Sequence, residues 1–570
     1  MRSLLRIIAG DSTPPGDLAL FNFKNYRRIM LRITALLIIG ACCSSHARDN
    51  YPKNPDIDIL HYRFDLTLSD DTEEIKGIAT VEISFEKKGI FNVRLDLISS
   101  DKANGMTVES VTQNEEKLVY THIKNELNIT MNSPSTEGQH SEITIKYSGI
   151  PITGLHIKPN KYNERTFFSD NWPNLTRHWL PVVDHVGEKA TCEFIVTAPV
   201  RYQVVSNGLK LEETNLSSTQ KKTHWKQSVP ISPWLYVLGV AEFAVQYVDW
   251  FDCKSIQTWV FHQDREAGFS DFAKPSKEVL EFYTRYVGPF AYEKLANIQA
   301  SSVAGGMESA SAILYNEKSV VGDGNFRWRK VVIHEIAHQW FGCAVTEADW
   351  DDVWLSEGFA TYFTALFIEH AYGRDEFVKE MKNARVQTFT FYKDNPDHTI
   401  VHNNLSDMSK VTSSHTYQKG AWVLHMLRNM MGDEAFEKGI QNYYRTYMNS
   451  TASTKDFQIE MEKVSGLNLT LFFKQWLNQG GKLILNGSWS YSVQTKSITI
   501  DLKQTQTDGT SFSVPVEIGI YYKNQLIPEI RRMELTSTSG QFKLPCNEEP
   551  ERIVLDPRTV LLAEWSLVKK

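Results

Sequence analysis

The chain is 570 residues long, 42% hydrophobic and 23% charged, with 61 basic against 68 acidic side chains and a formal net charge of -7. At roughly 100–200 residues per domain, this length implies more than one core and about three to five domains. The composition excludes a disordered chain, a collagen-like fibre and a multi-span membrane protein, and a net acidic chain is not built to coat nucleic acid.

Residues 1–47 read as a leader. Arg27, Arg28 and Arg32 precede an apolar run, 33–41, that ends in Cys42-Cys43-Ser44-Ser45-His46-Ala47. The run is shorter than the ~20 residues a spanning helix needs, and it suits the h-region of a signal peptide with its start at Met30. Two exits are open: lipidation of Cys42 after an Ile39-Gly40-Ala41 lipobox, or cleavage after Ala47. Both imply export from a bacterial cytoplasm, as a periplasmic protein or one attached to the outer membrane through Cys42. The six cysteines, at 42, 43, 192, 253, 343 and 546, are too few and too scattered for a disulfide framework, and none has metal-ligand spacing.

From 48 to 245 the pattern has period two. Tyr62, Phe64, Leu66 and Leu68 share a face, and Ala79, Val81, Ile83 and Phe85 alternate with Thr80, Glu82 and Ser84. This is the pattern of half-buried strands, and Ser206-Asn207-Gly208 and Ser232-Pro233 supply turns. An N-terminal β-sandwich-like domain is expected.

Residues 246–480 read as α-rich, with some strand before 316. Val279, Leu280, Phe282, Tyr283 and Tyr286 predict a helix over 277–287, with Ser276 as N-cap and Gly288-Pro289 as stop. Further helices are expected at 328–341, 356–372, 417–430, 433–447, 455–464 (closed by Gly466) and 469–477. After Gly480-Gly481 the period returns to two: Phe512, Val514, Val516, Ile518 and Ile520 alternate, so 481–570 is expected to be a small C-terminal β-sandwich. The fold class is multidomain α+β.

The informative segment is His334-Glu335-Ile336-Ala337-His338. Residues four apart on a helix lie about 40° apart in projection, so both imidazoles reach one ion from the same face. Neutral imidazole suits zinc, and a catalytic zinc takes three protein ligands and a water whose pKa it lowers to around 7. Glu335, about 100° round the helix from His334, reaches that water as general base. The bland alternative is a surface helix with two solvated histidines. Against it, Val331, Val332, Ile333, Ala337, Trp340 and Phe341 make the helix apolar almost all round, and buried polar groups without partners are costly. The third ligand is Glu357, a lone acid in Trp354-Leu355-Ser356-Glu357-Gly358-Phe359-Ala360 at the start of the next helix; an antiparallel helix pair brings it opposite the two histidines. Asp352 is a candidate to orient a ligand histidine from behind.

At these residues the sequence resembles the aminopeptidase N family of zinc metallopeptidases, which includes the leukotriene hydrolase branch. The family's motif before His-Glu-x-x-His reads here as Gly305-Gly306-Met307-Glu308-Ser309. The stretch after the ligands is His338-Gln339-Trp340-Phe341-Gly342, and a Tyr-x-Lys-Gly element is present as Tyr417-Gln418-Lys419-Gly420. The resemblance implies a β domain followed by a thermolysin-like catalytic domain, one zinc ion per chain, and peptide substrates with a free N-terminus. It implies that Glu308 binds the substrate's α-amine and that Gly305, Gly306 and Met307 form substrate-binding backbone. It also implies that Tyr417 donates its hydroxyl to the oxyanion.

Departures from the family pattern are Ser309 and Ser356, each in place of Asn. In Phe168-Ser169-Asp170-Asn171-Trp172-Pro173, Trp172 falls where the family places a second amine anchor, leaving Asp170 or Asn171 to substitute. The large helical C-terminal domain of many members, and the helical end of the leukotriene hydrolase branch, are expected to be missing. The sequence therefore reads as a zinc aminopeptidase. A thermolysin-type endopeptidase would share the ligands without needing Glu308, and a secreted binding protein with a degenerate peptidase core would not keep the ligands, base and tyrosine together.

Overall fold

The computed structural model describes residues 49–570, apart from 102–103, 324–325 and 403–404. The leader, the Met30 start and Cys42 lie outside the described residues.

The N-terminal region is built of strands, and its alternation is that read in the sequence. Strand Ile57–Thr67 pairs antiparallel with Ile75–Phe85 and parallel with Ala190–Pro199, at the centre of an eight-stranded sheet. Tyr62, Phe64 and Leu66 are buried, as are Ala79, Val81 and Ile83 on the neighbouring strand, with Tyr62 opposite Val81 and Phe64 opposite Ala79. A three-stranded sheet (Asn92–Asp96, Glu126–Thr130, Val119–Ile123) and a four-stranded one (Gln203–Ser206, Leu238–Ala241, Arg165–Ser169, Leu155–Pro159) complete this region.

The next region opens with a five-stranded mixed sheet in the order Phe243–Phe251, Lys254–Phe261, Lys294–Ala300, Ala312–Asn316, Gly306–Met307. The two-residue edge strand is antiparallel to its neighbour. Eight helices are described here: α1 (Arg265–Tyr286), α2 (Phe326–His338), α3 (Trp354–Tyr372), α4 (Arg374–Asp394), α5 (Gly420–Met431), α6 (Asp433–Tyr447), α7 (Thr454–Ser465) and α8 (Thr470–Leu477). Asp433–Tyr447 has the bounds expected, and Gly466 closes α7 in the left-handed conformation, φ 69°, where glycine lacks the Cβ penalty.

Two helices differ from expectation. α1 begins twelve residues before 277 and contains Pro275, so Ser276 is not its N-cap; the Ser276 hydroxyl instead donates to the Phe272 carbonyl inside the helix. The buried stripe Phe272, Val279, Leu280 and Tyr283 carries the helix through the single backbone bond that proline forfeits. α4 was not expected at all. Its buried residues Phe377, Met381, Ala384, Thr388 and Tyr392 keep helical spacing, but the stripe is narrow and interrupted by threonine. The rest of α4 is polar, so the period is faint.

Beyond α8 the described residues form strands only. Ser539–Pro545, Ser497–Gln504, Ile484–Ser492 and Glu564–Lys569 make one sheet, and Glu529–Leu535, Val514–Tyr521 and Arg552–Leu555 another. Val514, Val516, Ile518 and Ile520 are buried, as their alternation requires.

Candidate active site

His334 and His338 lie one turn apart on α2, and their Nε2 atoms are 3.2 Å apart. Glu357, in the first turn of α3, places Oε2 3.5 Å from His334 Nε2 and 3.3 Å from His338 Nε2. Three donors on a tetrahedron with metal–ligand bonds of ~2.0–2.1 Å would stand roughly 3.3 Å apart, so the spacing fits zinc. Two further observations support the fit. Glu357 Oε2 is buried and has no hydrogen-bond partner among the described residues. His338 Nδ1 lies 3.1 Å from the Phe341 carbonyl; donating its proton there, it leaves the Nε2 lone pair facing the other imidazole and the carboxylate.

The partners that orient His338 are the Phe341 carbonyl and the Ser356 hydroxyl, 3.0 Å from Nδ1, rather than Asp352. Asp352 instead accepts from Thr454 N (3.1 Å) and Thr454 Oγ1 (2.6 Å) at the start of α7, where the unpaired N–H groups of a helix N-terminus attract a carboxylate. Ser356, standing where the family has Asn, takes the place against His338.

Glu335 and Glu308 are both 5% exposed. Glu308 Oε1 lies 3.8 Å from His338 Nδ1 and has no hydrogen-bond partner. Burial pushes Glu308 up to about 7, and burial together with the Glu308 charge raises Glu335 well above the ordinary carboxylate range. Burial would raise Glu357 too, but His338 and His334 override it and hold that carboxylate down at about 2. Three buried carboxylates around two imidazoles form a pocket that favours cations. Gly306 is needed for this crowding, since a Cβ there would stand 2.2 Å from Glu335 Oε1, whereas a Cβ on Gly305 would meet nothing within 4 Å. Of the two glycines, Gly306 makes room for the Glu335 side chain and Gly305 faces open space. Met307, the second residue of the edge strand, is buried.

Tyr417 sits in a single π turn, His415–Lys419, that leads into α5. Such turns are frequent at functional sites. Its hydroxyl donates to Glu357 Oε1 at 2.6 Å, so the phenol is bonded directly to the carboxylate of the donor triad. Helices α3 and α5 meet at glycines: a Cβ on Gly358 would lie 3.0 Å from Gly420 Cα, and one on Gly420 would lie 2.9 Å from Gly358 Cα.

The structure separates the two candidate second anchors. Asn171 is buried and fully used: Nδ2 donates to the Tyr236 carbonyl (2.7 Å) and Oδ1 accepts from Trp179 Nε1 (2.9 Å). Asp170 keeps partial exposure, is raised to about 6 by burial, and its charge is felt at Glu308. Trp172 packs edge-on against Trp234 and Trp350 (4.9 and 5.2 Å between centroids), away from polar duty.

On the His334 side a cleft of about 510 Å³ opens between α2, α3 and α4, lined by Lys330, Val331, Thr361, Met381, Gln387 and Tyr417 among others. Its α4 wall is the part of the site that sequence reasoning missed. The spacing of Phe377, Met381 and Ala384 was the only signal for it.

This sheet-and-helix scaffold with its two-His, one-Glu donor set is of the metallopeptidase type. The chain belongs to peptidase family M1: residues 59–235 match the Peptidase M1 N-terminal domain and residues 273–476 the Peptidase family M1 domain. Among curated relatives it is 27% identical to glutamyl aminopeptidase of Rattus norvegicus over 62% of this chain and 40% of that one. It is 26% identical to aminopeptidase A of Gloydius brevicauda over 81% and 51%. The chain thus spans about half or less of the length of these relatives. Among solved structures, aminopeptidase A of Legionella pneumophila in complex with aspartic acid aligns with a TM-score of 0.77 at 18% identity, over 91% of this chain and 60% of that one. An M1 zinc metallopeptidase variant of Deinococcus radiodurans aligns with a TM-score of 0.63 at 23% identity, over 74% and 94%. At these identities the likeness speaks for the fold.

Proposed function

We propose that this protein is a zinc-dependent aminopeptidase that removes N-terminal residues from peptides. One observation carries the reading. The Glu308 carboxylate, whose Oε1 has no hydrogen-bond partner among the described residues, stands on the His338 side of the donor triad, and the open cleft lies on the His334 side. A peptide whose ammonium pairs with Glu308 has its first carbonyl at the triad and the rest of its chain in the cleft.

His334, His338 and Glu357 would hold the metal, which when bound supplies Lewis-acid polarisation of a carbonyl and lowers the pKa of a bound water. Glu335, buried beside Glu308 with a raised proton affinity, takes a proton from the attacking water and returns it to the leaving amine. Tyr417 turns its hydroxyl from Glu357 to the carbonyl oxygen as negative charge develops there. Glu308, assisted by Asp170, holds the ammonium. The names of the relatives, aminopeptidases throughout, support this reading, as does the aspartic acid bound by the Legionella neighbour. The leader supports export, with either release into the periplasm by cleavage after Ala47 or attachment to a membrane through Cys42 as part of the same proposal.

The test is a panel of aminoacyl arylamides, each with its N-acetylated counterpart, measured with and without a chelator. Cleavage of the free-amine substrates alone, abolished by the chelator and restored by zinc, is expected. Equal cleavage of both forms would replace the reading with a thermolysin-type endopeptidase.

A further inference from the structure

We infer that Gln339 and Cys343 are positioning residues that fix the distance between the zinc triad and the amine-binding carboxylate of Glu308. Gln339 follows His338 directly and is fully buried. Its Nε2 donates to the Glu308 carbonyl at 3.0 Å and approaches the Ser309 carbonyl at 3.5 Å, while its Oε1 accepts from Ser311 N at 2.8 Å. One side-chain amide thus pairs with segment 308–311 as a neighbouring strand would. Cys343 adds a second tie. Its own N–H donates to the His338 carbonyl (3.0 Å), and its thiol donates to the same Glu308 carbonyl (3.0 Å). Both ties start from residues fastened to His338 and end on the main chain of Glu308.

The segment needs holding. Ser311 has φ 64°, a conformation L side chains rarely adopt, so this path is imposed by its neighbours. Other partners come from the N-terminal region and from the central sheet: Asn207 Nδ2 donates to the Ala310 carbonyl (2.7 Å), Gly208 N donates to Ser311 Oγ (2.8 Å), and Ala296 N donates to the Ser311 carbonyl (2.9 Å). Lys189 Nζ grips the Cys343 and Ala344 carbonyls from the same side, at 3.0 and 2.9 Å. Without Gln339 and Cys343, the main chain of segment 308–311 would be tied to the N-terminal region and to the central sheet, but no hydrogen bond from it would reach the turn that follows His338. An exopeptidase must match the zinc-to-carboxylate distance to one residue of backbone, and each residue adds only ~3.3–3.6 Å. Slack in that distance weakens selection of the free amine and blurs the cleavage register, while the triad, Glu335 and Tyr417 keep their geometry.

The inference rests on the aminopeptidase reading, and the experiment separates the two. Wild-type enzyme and the variants Gln339→Met, Cys343→Ala and Cys343→Ser are compared for zinc content, for kcat and KM on the best aminoacyl arylamide, and for the products released from a pentapeptide, by mass spectrometry. Gln339→Met keeps the shape and loses the amide. It is expected to retain one zinc per chain and a kcat within about threefold of wild type, with KM raised about tenfold and dipeptide release appearing beside single residues. Cys343→Ala is expected to raise KM about threefold, since a thiol is a weak donor, and Cys343→Ser to restore it.

Unchanged KM and register in Gln339→Met would overturn the inference, as would a loss confined to kcat or zinc. If Gln339→Met fails to fold, the Cys343 pair decides, and equal KM in wild type, Ala and Ser overturns it. A wild type that cleaves free and acetylated substrates equally defeats the aminopeptidase reading itself, before any variant is compared.

Discussion

His334, His338 and Glu357 stand on two packed helices, with donor atoms 3.2–3.5 Å apart. At the other end of the site, Glu308 follows a two-residue edge strand and Asp170 follows a strand of the N-terminal region. The spacing of the two histidines is set by the local geometry of α2, and Glu357 is added by the packing of α3 against it. The end with Glu308 and Asp170, proposed to hold the amine, is assembled from segments far apart in the chain and depends on tertiary hydrogen bonds. Lesions at the first end should therefore fall on kcat and those at the second on KM.

The largest test of that division is Glu335→Gln. It should keep zinc, because the ligands are untouched, and lower kcat by ~100- to 10,000-fold, the range for losing a general base. A wild-type rate with raised KM would break the comparison. Tyr417→Phe comes next, with kcat expected to fall about 100- to 1000-fold, as when an oxyanion donor is removed, and KM little changed. Steady-state kinetics on one arylamide separates the two constants. The smallest effect sharpens the other end. Asp170→Asn should raise KM several-fold and leave kcat nearly unchanged, since a second carboxylate near an ammonium adds a partly screened interaction. Asn171→Ala should instead lower the melting temperature, because Trp179 Nε1 and the Tyr236 carbonyl lose their partners. If Asn171→Ala raises KM without loss of stability, the assignment of Asp170 over Asn171 fails.

The same contrast explains what the sequence made legible. The His-Glu-x-x-His pair was readable because a helix repeats every 3.6 residues, and Glu357 because a lone acid among apolar residues demands a partner. The strands of the N-terminal and C-terminal regions were readable from period two. Asp352 was misread because a carboxylate near the ligands in sequence faces the N-terminus of α7 in space. The choice between Asp170 and Asn171 had no local signal: adjacent residues on an extended chain point opposite ways, and only the packing of Trp179 and Tyr236 decides which one is buried. α4 was missed because half-polar helices that cover a cleft carry a weak hydrophobic period.

Gly358 and Gly420 put bare backbone against bare backbone, one residue after the ligand Glu357 and three after Tyr417. Where side chains separate two helices, a substitution can be absorbed by a change of rotamer. Here no rotamer lies between them, so one added methyl group must be absorbed by displacement of a whole helix. That displacement would reach the carboxylate and the phenol undiminished. How much error the chemistry can bear is thus decided at two residues that take no part in it.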